Sequence, residues 1–291
     1  MNRVFAVIAV IVAAIAGGTA GYFAATKTGG PDAAEIAAAV DTYLAEHPKL
    51  VGDSGTQAQS ADEALSESQV AAVEGIVRDH LIANPEIVRD AINELQRKEI
   101  EAEAAAQKTA ISEDSELIFA AAHDPVVGNP DGEVTLVEFF DYNCGYCKRA
   151  HADMKRLLEE DPNLKIILKE FPVLGEGSVE AAHVSAAVNI AAPDRYIEFH
   201  DALLLGPGRI NGDRALAVAE EIGLDMDKIR DLVPSDEVAA VIAANYALAD
   251  KLSLTGTPSY VTAKEVVIGA VGFETLKEKI EDARGCTSAS C

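Results

Sequence analysis

Two cysteines separated by two residues, Cys144 and Cys147, constrain this 291-residue chain more than any other feature. They follow a short apolar run, Val134–Phe140, which is typical of a buried strand, and they precede a helix-favouring segment that extends to Glu160. Cysteines at this spacing can close a small disulfide when they lie in the first turn of a helix. The unsatisfied N–H groups and the positive dipole end of such a helix favour the thiolate of Cys144. The pattern therefore predicts a redox-active dithiol in which Cys144 is the nucleophile and Cys147 is the shielded, resolving thiol.

Metal binding is the alternative interpretation of the same spacing. Structural zinc sites usually need a second Cys or His pair nearby. The other two cysteines, Cys286 and Cys291, stand at the C-terminal end, and none of the six His flanks the motif. Redox chemistry is therefore favoured, and we predict neither a metal nor a cofactor at Cys144 and Cys147. For Cys286 and Cys291 we expect a small local disulfide, with copper or zinc binding or an auxiliary redox relay as the alternatives.

The first 26 residues predict export. Arg3 is the only charged residue before an apolar run that extends from Val4 to about Ala25. Part of this run fits a cleaved signal peptide, and the whole run approaches the length of an uncleaved membrane anchor. Either reading places the rest of the chain in the periplasm or another extracytoplasmic compartment. The formal net charge of −24 repels phosphate backbones, so no nucleic-acid partner is expected.

Residues 27–118 are rich in Ala and acidic residues and favour helices. They contain a faint repeat, because residues 40–51 resemble residues 77–88. In both copies a helix should end before a proline, Pro48 or Pro85, and the proline should open the next helix. This region would serve either as a spacer or as an arm through which copies of the chain form a homo-oligomer.

Residues 119–285 have the pattern of a separate α/β domain, followed by a Cys-containing tail at 286–291. After a turn-rich entry at 125–132, the order strand, helix, strand up to residue 171 predicts a βαβ unit. A long helical stretch follows at about 176–252, and then two short strands and a last helix. Gly256-Thr257-Pro258 lies before the first of these strands, so its X-Pro bond is a candidate cis peptide.

The sequence V-E-F-F-D-Y-N-C-G-Y-C-K at residues 137–148, followed by G-T-P-S-Y at residues 256–260, resembles the DsbA-like branch of the thioredoxin superfamily. The resemblance extends from about Asp124 to Arg284. It implies a thioredoxin fold with a helical domain inserted at about 176–252. It also implies that the protein is an enzyme, a protein thiol–disulfide oxidoreductase that acts either as an oxidase or as an isomerase or reductase.

The same resemblance implies roles for individual residues. Cys144 corresponds to the attacking cysteine and Cys147 to the resolving one. Pro258 corresponds to the cis-proline beside the disulfide, where the backbone of Thr257 would pair with an extended substrate peptide. Glu138 matches a buried acidic residue beneath the dithiol that could relay a proton. Lys169 matches a basic residue that is often paired with this acid, and a purely structural buried ion pair is the alternative for the two.

The implied partners are exported proteins that carry thiols or disulfides, together with a membrane redox partner that is DsbB-like or DsbD/ScsB-like. Strongly oxidising members have Pro-His between the cysteines, whereas this chain has Gly145-Tyr146. Tyr146 cannot carry the positive charge of a His, so we expect a less oxidising dithiol. Gly-Tyr, with Thr before the proline, is more similar to isomerases, reductases and the copper-tolerance-associated proteins of the ScsC type. A periplasmic copper- or metal-binding protein that uses the same thiols is the alternative function.

Overall fold

The computed structural model describes Thr42 and residues 67–286. The predicted signal or anchor segment, most of the first repeat copy, and Cys291 lie outside the described residues. The chain divides into two units, residues 1–80 and residues 81–291. Within the part that is described, no helix has the length and apolar character needed to span a bilayer.

From residue 67 the chain forms three helices: α1, Glu67–Ala83; α2, Glu86–Glu113; and α3, Ser115–Phe119. The predicted break before Pro85 is confirmed, because α1 ends at Ala83 and Pro85 occupies the N-cap position of α2. Proline has a fixed φ and no N–H, which suits the start of a helix and not its interior. Large apolar side chains are exposed along α1 and α2: Val70, Val73, Ile76, Val77, Leu81, Ile82, Ile87, Val88, Ile92, Leu95 and Ile100.

The second unit is built on a five-stranded sheet with the order β1-β3-β2-β4-β5. The strands are β1, Val126–Gly128; β2, Val134–Phe140; β3, Leu164–Glu170; β4, Ser259–Val261; and β5, Val266–Ile268. Helix α4, Gly145–Glu160, connects β2 to its parallel neighbour β3, and this confirms the predicted βαβ unit. The other neighbouring strands pair antiparallel.

Strand β1 lies in the segment at 125–132 that was predicted only as a turn-rich entry. This segment contains a short edge strand, in which Val126 pairs with Ile167 of β3. Gly128 ends it with a φ of +84°, and a Cβ there would lie 2.6 Å from the carbonyl oxygen of Leu164. A strand of three residues has too little sequence pattern to be recognised, because its conformation depends on the neighbouring strand.

Five helices lie between β3 and β4: α5, Glu176–Ala191; α6, Tyr196–Leu204; α7, Gly212–Glu221; α8, Met226–Leu232; and α9, Asp236–Lys251. A short 3-10 turn, Pro193–Arg195, precedes α6. Asn211, Asp225 and Ser235 cap α7, α8 and α9, since each side chain accepts the N–H three residues further on. The predicted helical insertion and the α/β fold class are confirmed. The last helix, α10, spans Phe273–Ala283.

The two central strands, β2 and β3, carry a core on each face of the sheet, because alternate residues of a strand point to opposite sides. We call the side of Leu136, Glu138 and Phe140 the dithiol face, since Leu136 and Phe140 belong to the same buried cluster as both cysteines. We call the side of Phe139 and Lys169 the rear face. The buried apolar residues of the rear face come from α2, α3, α9 and the sheet: Ile111, Ile118, Val137, Phe139, Ile167, Phe171, Leu248, Ala249, Leu252, Leu254 and Val261.

Candidate active site

The dithiol lies at the N-terminus of α4. Cys144 is the N-cap residue, with an extended backbone, and its Sγ accepts the N–H of Cys147 at 3.4 Å. The helix begins at Gly145, so Cys147 lies in its first turn, as the spacing of the two cysteines predicts. Cys144 is 4% exposed and Cys147 is fully buried, and both thiols are free. The nucleophile Cys144 therefore lies at the N-terminal end of α4, and the resolving thiol of Cys147 is buried in the first turn of that helix.

The Gly256-Thr257-Pro258 segment reaches the same point from the other half of the sheet. The Thr257–Pro258 peptide bond is cis, as predicted. The Cys144 Sγ lies 3.1 Å from the carbonyl oxygen of Thr257, to which it donates when it is protonated. This contact joins residues that are 113 positions apart in the sequence. The fold thus brings the nucleophile, the cis-proline and the start of β4 together.

The two thiols have opposite acidities. The pKa of Cys144 is lowered to about 5, chiefly by a hydrogen bond with the Cys147 side chain. A hydrogen bond with the Thr257 side chain and the backbone N–H groups of Tyr146 and Cys147 lower it further, whereas burial acts in the opposite direction. The pKa of Cys147 is raised by its bond to Cys144, then by burial and by the nearby charge of Glu138. At neutral pH Cys144 is therefore the thiolate and Cys147 keeps its proton.

Glu138 lies on the dithiol face, in the middle of β2 and opposite Tyr260 of β4. It is 5% exposed. Burial, together with the charge of Cys144, raises the pKa of Glu138 to about 8. A carboxyl in this environment can hold or release a proton near neutral pH beside the two thiols.

The predicted pairing of Glu138 with Lys169 is wrong. In the β2–β3 register Glu138 is opposite Leu168, and Lys169 is opposite Phe139, so the two side chains lie on opposite faces of the sheet. On the rear face, the Lys169 ammonium contacts the carboxylate of Asp124 at 2.5 Å and donates to the carbonyl oxygen of Leu117 at 2.9 Å.

The loop between β2 and α4 contains a buried carboxylate that the sequence reasoning missed. Asp141 accepts the N–H of Asn143 at 2.8 Å, the N–H of Leu174 at 2.9 Å and the hydroxyl of Ser178 at 2.8 Å. Its own carbonyl accepts the N–H of Cys144 at 3.0 Å. An Asp directly after a strand is a common turn signal, so the local role could have been recognised, but the contacts with Leu174 and Ser178 could not.

A chain of buried polar groups continues from this loop into the insertion. The Tyr142 hydroxyl lies 2.8 Å from the hydroxyl of Ser185 in α5 and 3.2 Å from Nδ1 of His200 in α6. Ser185 donates to the hydroxyl of Tyr196, which in turn donates to the carboxyl of Glu170. Burial, reinforced by nearby positive groups, lowers the pKa of His200 to about 3, so this imidazole is neutral. These buried hydrogen bonds join the helical insertion to the strand ends of the sheet.

The described residues hold no cluster of three or more side chains able to ligate a metal ion. Cys286 is disulfide-bonded. The expected local disulfide of the tail is consistent with this state of Cys286, and Cys291 lies outside the described residues.

Comparison with protein families gives two matches. The DSBA-like thioredoxin domain matches residues 135–281, about half of the chain. The copper resistance protein ScsC N-terminal domain matches residues 69–102. The two matched ranges do not overlap.

Individual proteins are also similar. A thioredoxin-like oxidoreductase from Silicibacter pomeroyi is 41% identical, with a TM-score of 0.56, over 59% of this chain and 98% of that structure. The thiol-disulfide exchange protein alpha-DsbA2 from Wolbachia pipientis is 30% identical, with a TM-score of 0.57, over 62% of this chain and 97% of that structure. The Na(+)/H(+) antiporter NhaA 1 of Salinispora arenicola is 30% identical over 55% of this chain, which spans only 24% of the antiporter.

Proposed function

The chain belongs to the DSBA-like thioredoxin domain family, and on this premise we propose that it is a protein thiol–disulfide oxidoreductase. One observation carries the proposal. The Cys144 thiol, with a pKa lowered to about 5, lies 3.1 Å from the carbonyl oxygen before a cis-proline, with a buried second thiol behind it. A low-pKa thiol is both a nucleophile and a good leaving group, and exchange needs both properties.

In the reducing direction, the Cys144 thiolate attacks one sulfur of a substrate disulfide. The bond between Cys144 and that sulfur forms as the substrate disulfide breaks, and the other substrate sulfur leaves as a thiolate. Cys147 then attacks Sγ of Cys144, which releases the second substrate thiol and leaves the Cys144–Cys147 disulfide. The substrate gains two electrons that the dithiol loses, and the reverse sequence oxidises a substrate.

Glu138 supplies the proton transfer in this proposal. Cys147 must lose its proton before it attacks the mixed disulfide, and its raised pKa opposes that step. Only the ionised form of Glu138 can accept this proton, and a pKa of about 8 keeps that form accessible near neutral pH; the protonated carboxyl returns the proton when the direction reverses. The backbone of Thr257, beside Pro258, pairs with an extended segment of the substrate. No catalytic role is proposed for Lys169, because its contacts are on the rear face.

Apolar side chains exposed around this end of the domain support a protein substrate. Tyr146 is 59% exposed in the dithiol loop. Leu174 is exposed, and its N–H binds Asp141 immediately before the dithiol. Leu205 is exposed beside Gly206, whose carbonyl accepts from Lys148 of α4. We therefore propose as substrates unfolded or partly folded exported polypeptides that carry thiols or disulfides.

The compartment and the partners are proposed from the sequence and the family. The apolar N-terminal run supports export to the periplasm or another extracytoplasmic space, by a cleaved signal or with a retained anchor. In such a compartment the dithiol needs a membrane redox partner, either DsbB-like to reoxidise it or DsbD/ScsB-like to reduce it.

We also propose that the N-terminal helices join copies of this chain. In α1 the exposed apolar residues Val70, Val73, Val77 and Leu81 are spaced by three and four positions, which places them along one side of the helix. Light scattering of the full chain should give an oligomer. A variant with aspartate at Val73 and Val77 should be a monomer.

The activity is tested by mixing the full chain with a disulfide-containing model protein and with a reduced peptide. Wild type should exchange with both. C144S should reduce the rate to background, because a serine hydroxyl is not a comparable nucleophile. C147S should accumulate mixed disulfides on a non-reducing gel, because the resolving thiol is gone. Normal turnover by C147S would contradict the assigned roles. No exchange by wild type, together with tight Cu(I) binding that needs both thiols, would favour the copper-binding alternative.

The direction of exchange follows from the state of the dithiol in the cell. Trapping thiols with a mass-shifting alkylating reagent at the moment of lysis separates the two forms. An oxidised Cys144–Cys147 pair assigns a disulfide donor, and a reduced pair assigns an isomerase or reductase.

A further inference from the structure

Asn143, the residue before the nucleophile, is bound to the insertion by its side chain. Its Nδ2 donates to the carbonyl oxygen of Ile210 at 2.9 Å, and its Oδ1 accepts the N–H of the same residue at 2.8 Å. Nδ2 also donates to the hydroxyl of Ser178 in α5 at 2.9 Å. One amide side chain thus satisfies both backbone polar groups of Ile210, which lies fully buried in the loop before α7.

The neighbouring residues add to this attachment. Asp141 binds Leu174 and Ser178, and Tyr142 binds Ser185. All three residues between the end of β2 and Cys144 are therefore fixed to α5, to the segment that leads into it, or to the loop before α7. Such contacts restrict the backbone on the N-terminal side of the nucleophile.

The position of this backbone matters for the sulfur. Cys144 can act as the N-cap of α4 only with an extended backbone, which has φ −78° and ψ 112° here. In that conformation its Sγ receives the N–H of Cys147, a donor that only the first turn of the helix offers. A shift of residue 143 would rotate Cys144 away from these donors.

We propose that Asn143 is a positioning residue, which holds the backbone of Cys144 in the N-cap conformation by binding it to the helical insertion at Ile210. This inference rests on the proposed function, since it concerns the nucleophile of that reaction. It assigns the insertion a part in setting the reactivity of the dithiol, in addition to any surface that it offers to a substrate.

The test is the pH profile of Cys144 alkylation by iodoacetamide in the full, reduced chain, with the modified site identified by mass spectrometry. Wild type should titrate with a midpoint of about 5. N143A adds no charge but loses all three side-chain hydrogen bonds, so its midpoint should rise. A rise of one pH unit lowers the alkylation rate at about pH 5 roughly five-fold and leaves the rate at about pH 9 unchanged. This ratio of rates does not move if the variant is only less stable.

E180A is the matched control. Glu180 lies in α5 and accepts the N–H of Gly212, two residues beyond Ile210, so its loss loosens the same junction away from the dithiol. E180A should titrate as wild type does. S178A removes one of the three Asn143 contacts together with the Ser178–Asp141 hydrogen bond, and its midpoint should also rise. If N143A does not fold, a wild-type midpoint in S178A overturns the proposal.

The outcomes separate the two proposals. A folded N143A with the wild-type midpoint would overturn the role of Asn143 and leave the proposed function intact. An equal shift in E180A would also overturn it, because general loosening would then explain both. A wild-type midpoint near that of an ordinary cysteine would instead remove the low-pKa nucleophile on which the proposed function rests.

Discussion

Glu138 on the dithiol face and Lys169 on the rear face are both buried charged residues of the two central strands, yet their surroundings differ. Lys169 has a carboxylate and a backbone carbonyl as partners, 2.5 Å and 2.9 Å from its ammonium. Glu138 is beside two thiols, and burial raises its pKa to about 8. The ammonium on the rear face is held in a buried ion pair, whereas the carboxyl beside the thiols is available for proton transfer on the dithiol face.

Although Asp124 and Lys169 form an ion pair, burial still shifts the pKa of each toward its neutral form. Desolvation raises the pKa of Asp124 and lowers that of Lys169, against the attraction between them. Because both groups are poorly solvated, each depends on the other to remain charged. The comparison therefore predicts that substitutions on the rear face change stability, and that substitutions of Glu138 change the response to pH and the rate of exchange.

The largest effect is expected for D124A. This change leaves the Lys169 ammonium buried without its carboxylate, which should lower the free energy of unfolding by about 3–5 kcal/mol. Denaturant unfolding of wild type and variant measures the difference. The exchange rate of the folded fraction should stay close to that of wild type.

The matched control replaces both partners with apolar residues, D124L with K169M. Removing a buried pair together is often neutral, so the double variant should lie within about 2 kcal/mol of wild type. If D124A were as stable as wild type but exchanged slowly, the rear face would have a part in the chemistry and the comparison would fail.

The second effect is a loss of stability with rising pH that depends on Glu138. Its pKa is about 8 in the folded chain against an ordinary value of 4.5. Between these values the folded state holds a proton that the unfolded state has lost, so stability falls as pH rises, by at most about 1.4 kcal/mol per pH unit. E138Q should lack this slope and, relative to wild type, gain roughly 3 kcal/mol between pH 4.5 and pH 7.

Unfolding should be measured in the C144S, C147S background, so that the thiols do not titrate. Burial is the larger cause of the raised pKa and persists in that background. If the free energy of unfolding had the same pH dependence with Glu138 and with E138Q, Glu138 would be ionised in the folded chain at neutral pH.

The smallest effect is kinetic. In E138Q, attack by Cys144 on a substrate disulfide should keep its rate, whereas release of the mixed disulfide by Cys147 should slow about ten-fold, because the proton acceptor is missing. Stopped-flow measurement of the two steps separates them. An unchanged release rate across the pH range would assign the proton transfer to water or another group.

Much of this fold could be predicted from local sequence signals. The apolar run at 134–140 predicted β2, Pro85 predicted the break between α1 and α2, and the helical stretch at about 176–252 predicted the insertion. The dithiol and the cis Thr257–Pro258 bond followed from short motifs. These features depend on a few neighbouring residues, which is why a single sequence was enough.

The errors came from contacts between distant segments. Whether Glu138 meets Lys169 depends on a strand register, and a difference of one residue places a side chain on the other face. Asn143 finds its partners 35 and 67 positions away, and no local pattern indicates them. Strand β1 exists because β3 offers a free edge, which its own three residues do not reveal.

The shortness of β1 has a further consequence at the borders of the sheet. Within the described residues, both outer strands, β1 and β5, are only three residues long. A short outer strand offers few free backbone N–H and C=O groups to a passing chain, which protects against strand addition and aggregation. The proposed substrates are unfolded polypeptides, which could otherwise pair with an exposed strand. The short outer strands therefore limit substrate binding at the sheet edges and favour contact at the dithiol.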